Sequence, residues 1–165
     1  MNEEEVVQMD DLSSSTILLV EDSEADIVLL KRALRNARIA NPLMVVRDGE
    51  EAINYFSGAG VYGNRERWPI PSLVLLDLRL PKVSGFEVLE WIRSRPDLNE
   101  VTVVVLTGSE NVPDVSKAHE LGADSYLVKP GEFRELVAMV ERIHGHWLML
   151  LTTPEQPGSQ LSYTA

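Results

Sequence analysis

A chain of 165 residues, 44% apolar and 25% charged, is long enough to bury one core unaided, and with no cysteine it has no disulfide, thiolate ligand or thiol nucleophile. Its formal net charge of −11 argues against nucleic acid as a direct ligand, since phosphate backbones need basic surfaces. The first residues are acidic where a secretory leader is basic, and no apolar run approaches membrane-spanning length, so a cytoplasmic protein without membrane contact is expected.

Residues 1–15 hold Glu3, Glu4, Glu5, Asp10 and Asp11, and no Lys or Arg precedes Lys31. They read as a disordered acidic N-terminal arm, solubilising rather than docking. From residue 16 strands and helices alternate. A strand over 16–20 leads through Asp22 and Ser23 into a helix over 24–36, with Ile27, Leu30 and Leu34 at helical spacing and Val28 and Ala33 beside them. Asn41-Pro42 breaks that pattern before a second strand, 43–46. Asp48-Gly49-Glu50-Glu51 then opens a helix with Ala52, Ile53 and Phe56 inward.

The third strand, 73–76, ends at Asp77, and a helix over 84–95 turns Phe86, Leu89 and Ile92 inward until Pro96 stops it. A fourth strand, 101–106, precedes a helix over 111–121 that Gly122 terminates. The fifth strand, 125–128, runs into Lys129-Pro130 and a long helix reaching about residue 151. Residues 152–165 are rich in Pro, Gly and small polar residues and are expected to form a flexible C-terminal tail, leaving one domain over 16–151.

The strands Ile17-Leu18-Leu19-Val20, Leu73-Val74-Leu75-Leu76, Val103-Val104-Val105-Leu106 and Tyr126-Leu127-Val128 are apolar without alternation, which marks strands buried on both faces of a parallel sheet. The predicted fold is α/β: a flavodoxin-like, doubly wound five-stranded parallel sheet of order 2-1-3-4-5 with helices on both faces. Parallel strands all end on one edge. Glu21-Asp22, Asp77, Thr107 and Lys129 therefore meet in one crevice.

Carboxylates so gathered repel unless a cation sits among them. An all-oxygen donor set without His or Cys suits Mg²⁺, and Lys129 adds a second positive charge. Carboxylates, divalent cation, hydroxyl and ammonium together describe a phosphoryl-transfer site, with Asp77 at its strand tip as the nucleophile that becomes an acyl phosphate.

Leu18-Leu19-Val20-Glu21-Asp22-Ser23, the stretch from Leu75 to Gly85, Val105-Leu106-Thr107-Gly108-Ser109 and Ala123 to Pro130 resemble the receiver domain of two-component response regulators over about 16–147. The thirty residues between Asp77 and Thr107, and twenty-two between Thr107 and Lys129, agree with it. The resemblance implies that Asp77 accepts a phosphoryl group from a phosphohistidine on a sensor histidine kinase. It implies Mg²⁺ held by Asp22, Asp77 and the main-chain carbonyl of Arg79, with Glu21 acting mainly through water. It gives Thr107 and Lys129 the phosphoryl oxygens, makes Tyr126 a switch aromatic that turns inward with Thr107, and makes the Lys129–Pro130 peptide cis. Gly108 leaves access to the acceptor open, and Arg79 stands at a variable position that tunes dephosphorylation.

Two other classes compete with a single-domain regulator that signals by protein binding. An aspartyl-phosphate phosphatase would need a second acid two residues after its nucleophile, where this chain has Arg79. A phosphate-independent interaction domain on the same fold would usually lack an acid or the lysine. With only about fourteen residues after the last helix, no enzymatic or DNA-binding output module is expected, so the reading is not an enzyme and the output is a downstream protein or phosphotransferase.

Gly58-Ala59-Gly60-Val61-Tyr62-Gly63 fits a dinucleotide fingerprint but follows a helix instead of joining strand to helix, and His119, His144 and His146 lack metal-ligand spacing. The fifteen-residue connection 58–72 should lie away from the carboxylates, either as a partner contact through Tyr62, Trp68 and Ile70 or as an inert ordered loop. Its length resembles stand-alone regulators of phytochrome-type photoreceptor kinases. Trp147-Leu148-Met149-Leu150-Leu151 is apolar all round, which suggests a homodimer through the C-terminal helix in preference to packing within one chain.

Overall fold

The computed structural model describes residues 14–108 and 111–152. The arm and tail expected at the two ends fall almost wholly outside them. In chain order the elements are β1 (Ile17–Val20), α1 (Glu24–Asn36), β2 (Leu43–Val46), α2 (Gly49–Ser57), β3 (Leu73–Leu76), α3 (Gly85–Arg93), β4 (Thr102–Thr107), α4 (Val112–Glu120), β5 (Ser125–Val128) and α5 (Phe133–Thr152). The strands are all parallel and ordered β2-β1-β3-β4-β5, as the sequence implies.

Strand residues feed two separate cores in alternation, which is why the runs are apolar throughout. Ile17, Leu19, Leu73, Leu75, Val104 and Leu106 pack with Ile27, Leu30 and Leu34 of α1 and with Met139, Val140, Ile143 and Trp147 of α5. Leu18, Val20, Val74, Leu76, Val103 and Val105 face Ala52, Tyr55 and Phe56 of α2, Val88 and Ile92 of α3, and Ala118 of α4. Two positions depart from the expected pattern: Val28 of α1 is exposed, and Tyr55 rather than Ile53 is the buried neighbour of Phe56 in α2. An aromatic with a bonded hydroxyl can bury what periodicity alone assigns to a β-branched residue.

The helix starts are capped where strands end. Ser23 Oγ accepts the Asp26 N–H, Asp48 accepts the Glu51 N–H at 2.7 Å, and Ser84 and Glu87 form a reciprocal capping box. Each such cap stabilises by about 1 kcal/mol and brings a helix N-terminus to the same rim as the strand tips. The third case needs a glycine. A Cβ at Gly85 would stand 2.2 Å from the Asp77 carbonyl oxygen and 2.6 Å from Leu78 Cα, so α3 can start against the backbone of Asp77 only because that atom is missing. Between them, Lys82 adopts a φ of 67°, and Val83 N–H donates to Pro81 at 2.9 Å, tightening the turn after Asp77.

The connection 58–72 is ordered. Arg65 donates to the carbonyls of Tyr55 and Phe56, each at 2.7 Å, finishing the end of α2 from outside. Tyr55 donates its buried hydroxyl to Pro69 O at 2.8 Å, and Tyr55, Tyr62 and Trp68 pack ring to ring. The loop was expected to stay at the rim opposite the carboxylates, and Arg65 obeys this. Tyr62 does not: its hydroxyl donates to Glu51 Oε1 at 2.6 Å, in the first turn of α2 on the carboxylate side. Helix α2 has nine residues, about 14 Å long, short enough for a loop at one end to reach back to the other.

Candidate phosphoacceptor site

Backbone bonds hold the strand tips in line. Glu21 N–H donates to Val46 O at 3.0 Å, Asp77 N–H to Val20 O at 3.1 Å, and Lys129 N–H to Thr107 O at 2.7 Å. The ladder thus continues one residue past β1 and β3 and past β5, and carries Glu21, Asp77 and Lys129 to the rim. The ligand oxygens of Glu21, Asp22 and Asp77 lie within 4.8 Å of one another. Glu21 and Asp77 are buried, and Asp22 is exposed at the mouth.

Lys129 closes the group. Its ammonium donates to Glu21 Oε2 at 2.6 Å and to Asp26 Oδ2 at 2.8 Å, and it lies 3.5 Å from Asp77 Oδ2. Burial works against its charge, but the bonds to Asp26 and Glu21 and the charge of Asp77 prevail and hold it above the ordinary lysine range. Burial pushes the Glu21 carboxyl above its usual value, assisted by the Asp77 charge and opposed by the bonds from Lys129 and from the Ser23 N–H. Three carboxylates and one ammonium leave an excess of negative charge in a half-closed space. Oxygen-only donors with that excess fit a hard divalent cation.

Thr107 is buried at the tip of β4, next to β3. Tyr126 pairs in register with Val105, so it and Thr107 point to the same side of the sheet; it is half-buried against the core under α2, α3 and α4. Gly108 faces open space. Arg79 is exposed, and its N–H donates to Asp77 Oδ1 at 3.4 Å. The sequence placed Glu21, Asp22, Asp77, Thr107 and Lys129 on one rim, and that is where they are. It missed Asp26, which lies in the first turn of α1, three residues after the Ser23 cap.

One expectation is overturned. The Lys129–Pro130 peptide is trans, since none of the described peptide bonds is cis. Trans is the intrinsically favoured isomer by about 0.5–1 kcal/mol, and the Lys129 N–H reaches Thr107 with the peptide in that form. Among the described residues no helix is long and apolar enough to cross a membrane.

Residues 17–141 match the response regulator receiver domain. The chain belongs to that family. It is 44% identical over 138 residues to the response regulator Rcp1 of Synechocystis sp., covering 84% of this receiver and 92% of Rcp1. It is 41% identical over 132 residues to the probable methanogenesis regulatory protein FilR2 of Methanothrix harundinacea, covering 80% of this receiver and 83% of that chain. The Mn²⁺-bound crystal structure of Rcp1 superposes with a TM-score of 0.74 at 42% identity, over 86% of this receiver and 99% of Rcp1. The phosphorylated cyanobacterial phytochrome response regulator RcpA superposes with a TM-score of 0.76 at 39% identity, over 88% and 99% of the two chains. The flavodoxin-like receiver fold and the two-component family are thereby shown, with the phytochrome regulators among the similar structures.

Proposed function

We propose that this receiver accepts a phosphoryl group on Asp77 from a sensor histidine kinase and signals through a phosphorylation-dependent change of its protein-binding surface. The observation that carries this is the buried Asp77 oxygen set 3.5 Å from the Lys129 ammonium and within 4.8 Å of two further carboxylates. An Asp77 oxygen attacks the phosphorus of a phosphohistidine. The O–P bond forms as the N–P bond breaks, and its electron pair returns to the imidazole, which takes a proton from solvent. Glu21, Asp22 and Asp77, with the Arg79 carbonyl, would hold Mg²⁺, which supplies compensation for the negative charge that phosphoryl oxygens add.

Lys129 contributes a fixed positive charge and Thr107 a hydroxyl donor for the new phosphoryl oxygens. Tyr126, on the same face of the sheet as Thr107, follows that hydroxyl and alters the surface near α4. The product is an acyl phosphate on the protein, so the chain acts as a signal carrier rather than a turnover enzyme. Incubation with Mg²⁺ and acetyl phosphate should add the mass of one phosphoryl group to wild type and none to Asp77→Asn. An unmodified wild type would defeat the proposal.

The kinase partner proposed is of the phytochrome photoreceptor type, because the cyanobacterial phytochrome response regulator RcpA is among the similar structures. The site of action is the cytoplasm. The end of α5 supports self-association: Trp147 is buried in the chain's own core, but Met149 is 65% exposed and Leu150 is exposed beside it. Light scattering should give a dimer mass for wild type and a monomer mass for Met149→Glu/Leu150→Glu. Equal masses for the two would remove the interface.

A further inference from the structure

Lys129 has three N–H donors, and the structure commits two of them. One goes to Glu21 and one to Asp26; the acceptor carboxylate of Asp77, at 3.5 Å, receives only charge. Asp26 is not part of the metal cluster, which comprises Glu21, Asp22 and Asp77. It sits in the first turn of α1, its own N–H bonded to Ser23 Oγ, so its backbone is fixed while its side chain remains 41% exposed. A recess lined by Leu29, Leu30, Leu106, Pro130 and Leu136 borders the Asp26–Lys129 contact, which leaves room for the two groups to separate.

Three carboxylates surround the ammonium, and it serves them unequally: Glu21 and Asp26 are hydrogen-bonded, and Asp77 is not. Its bond to Asp26 draws it towards α1 and away from Asp77. That arrangement leaves the metal cluster more negative than it would be with Lys129 centred on it. A phosphoryl group arriving on Asp77 finds one donor uncommitted and gains a second only by displacing Asp26 or Glu21.

We propose that Asp26 is a positioning residue that anchors Lys129 off the acceptor in the unphosphorylated receiver, and that phosphorylation exchanges Asp26 for the phosphoryl oxygens. The proposal rests on Asp77 being the phosphoacceptor. It gives two effects of opposite sign. With Asp26 removed as an anchor, the ammonium moves towards Glu21 and Asp77, which opposes a divalent cation. The same movement favours an anionic phosphoryl group. A merely structural role for Asp26 would weaken both or alter neither.

Titration calorimetry with Mg²⁺ alone, and with beryllofluoride in the presence of Mg²⁺, tests this. Asp26→Asn should bind Mg²⁺ about threefold more weakly and beryllofluoride about threefold more tightly, the size expected of a partly exposed ion pair. Asp26→Glu should return both towards wild type. Glu24→Gln removes an exposed charge from the same helix turn, one that pairs with Arg47 instead, and should move neither. In a Lys129→Met background, Asp26→Asn should no longer alter Mg²⁺ affinity.

Equal affinities in wild type and Asp26→Asn overturn the anchor. So does a loss of Mg²⁺ affinity that persists without Lys129, because the effect would then be charge acting at a distance. If wild type itself takes neither beryllofluoride nor a phosphoryl group, the phosphoacceptor reading has failed, and the anchor falls with it.

Discussion

The rim that carries Asp77 and the clamp formed by residues 58–72 both bury polar groups, yet they settle them in opposite ways. In the clamp, one guanidinium meets three carbonyls and the buried Tyr55 hydroxyl meets a fourth, so donors and acceptors match. At the rim, three carboxylates face one ammonium that is also bonded to Asp26. Matched neutral acceptors around one donor make a static joint. Excess charge of one sign makes a place that a cation or a new hydrogen-bonding group can reorganise. The fold is thus firm in the clamp and left poised at the rim.

The sharpest way to break that contrast is Gly85→Ala. A methyl group driven against the backbone of Asp77 should cost about 3 kcal/mol in urea unfolding, at the upper end for overpacking because neither partner is a flexible side chain. It should also lower phosphoryl uptake, since Asp77 is displaced. A stable, fully active variant would mean that α3 does not position the acceptor.

Mg²⁺ comes next. At one hundred times its dissociation constant it should stabilise the folded chain by about 2.7 kcal/mol, and EDTA should reverse this. In Asp22→Asn the gain at the same concentration should be much smaller. An unchanged melting temperature on adding Mg²⁺ would show that the clustered carboxylates are not a cation site.

In the clamp, Arg65→Met should cost about 2 kcal/mol, because the Tyr55 and Phe56 carbonyls lose a charged donor. Here phosphoryl uptake per folded molecule should be unchanged. A parallel fall in uptake would show that the two regions communicate, with the Tyr62–Glu51 bond the obvious route.

The smallest effect is one of pH, far from both regions in the sequence. Burial holds His144 and His146 below the ordinary histidine value. Below about pH 6.5 the unfolded chain therefore binds protons that the folded chain resists. Their contribution is intact above that pH and lost as pH falls through it. His144→Gln/His146→Gln should flatten the stability curve between about pH 6.5 and 5.5, as read by chemical unfolding. An identical slope would assign the acid loss to other groups.

Much of this was readable from residues alone, for a physical reason. Runs such as Leu73-Val74-Leu75-Leu76 can only be buried on both faces, and a parallel sheet then forces Glu21, Asp77 and Lys129 to one edge whatever the loops do. Side-chain choices within that edge were less accessible. Asp26 has an ordinary helix-entry role available to it, so nothing in the string of letters ties it to a lysine 103 positions later. Tyr62 was assigned to the wrong rim because loop direction was inferred from the element it follows, without regard to how short α2 is. The peptide geometry at Pro130 was carried from resemblance, and local sequence has little to say about a preference so slight.

The 2.7 Å bond from Lys129 N–H to Thr107 O joins the two residues through their main chains, not through the groups that face the acceptor. Neither tip can therefore be relocated alone: a shift of the threonine backbone carries the lysine's root with it. Substituting either side chain changes what is presented but not this tether. The ends of β4 and β5 are thus tied to each other through backbone as well as through the sheet ladder.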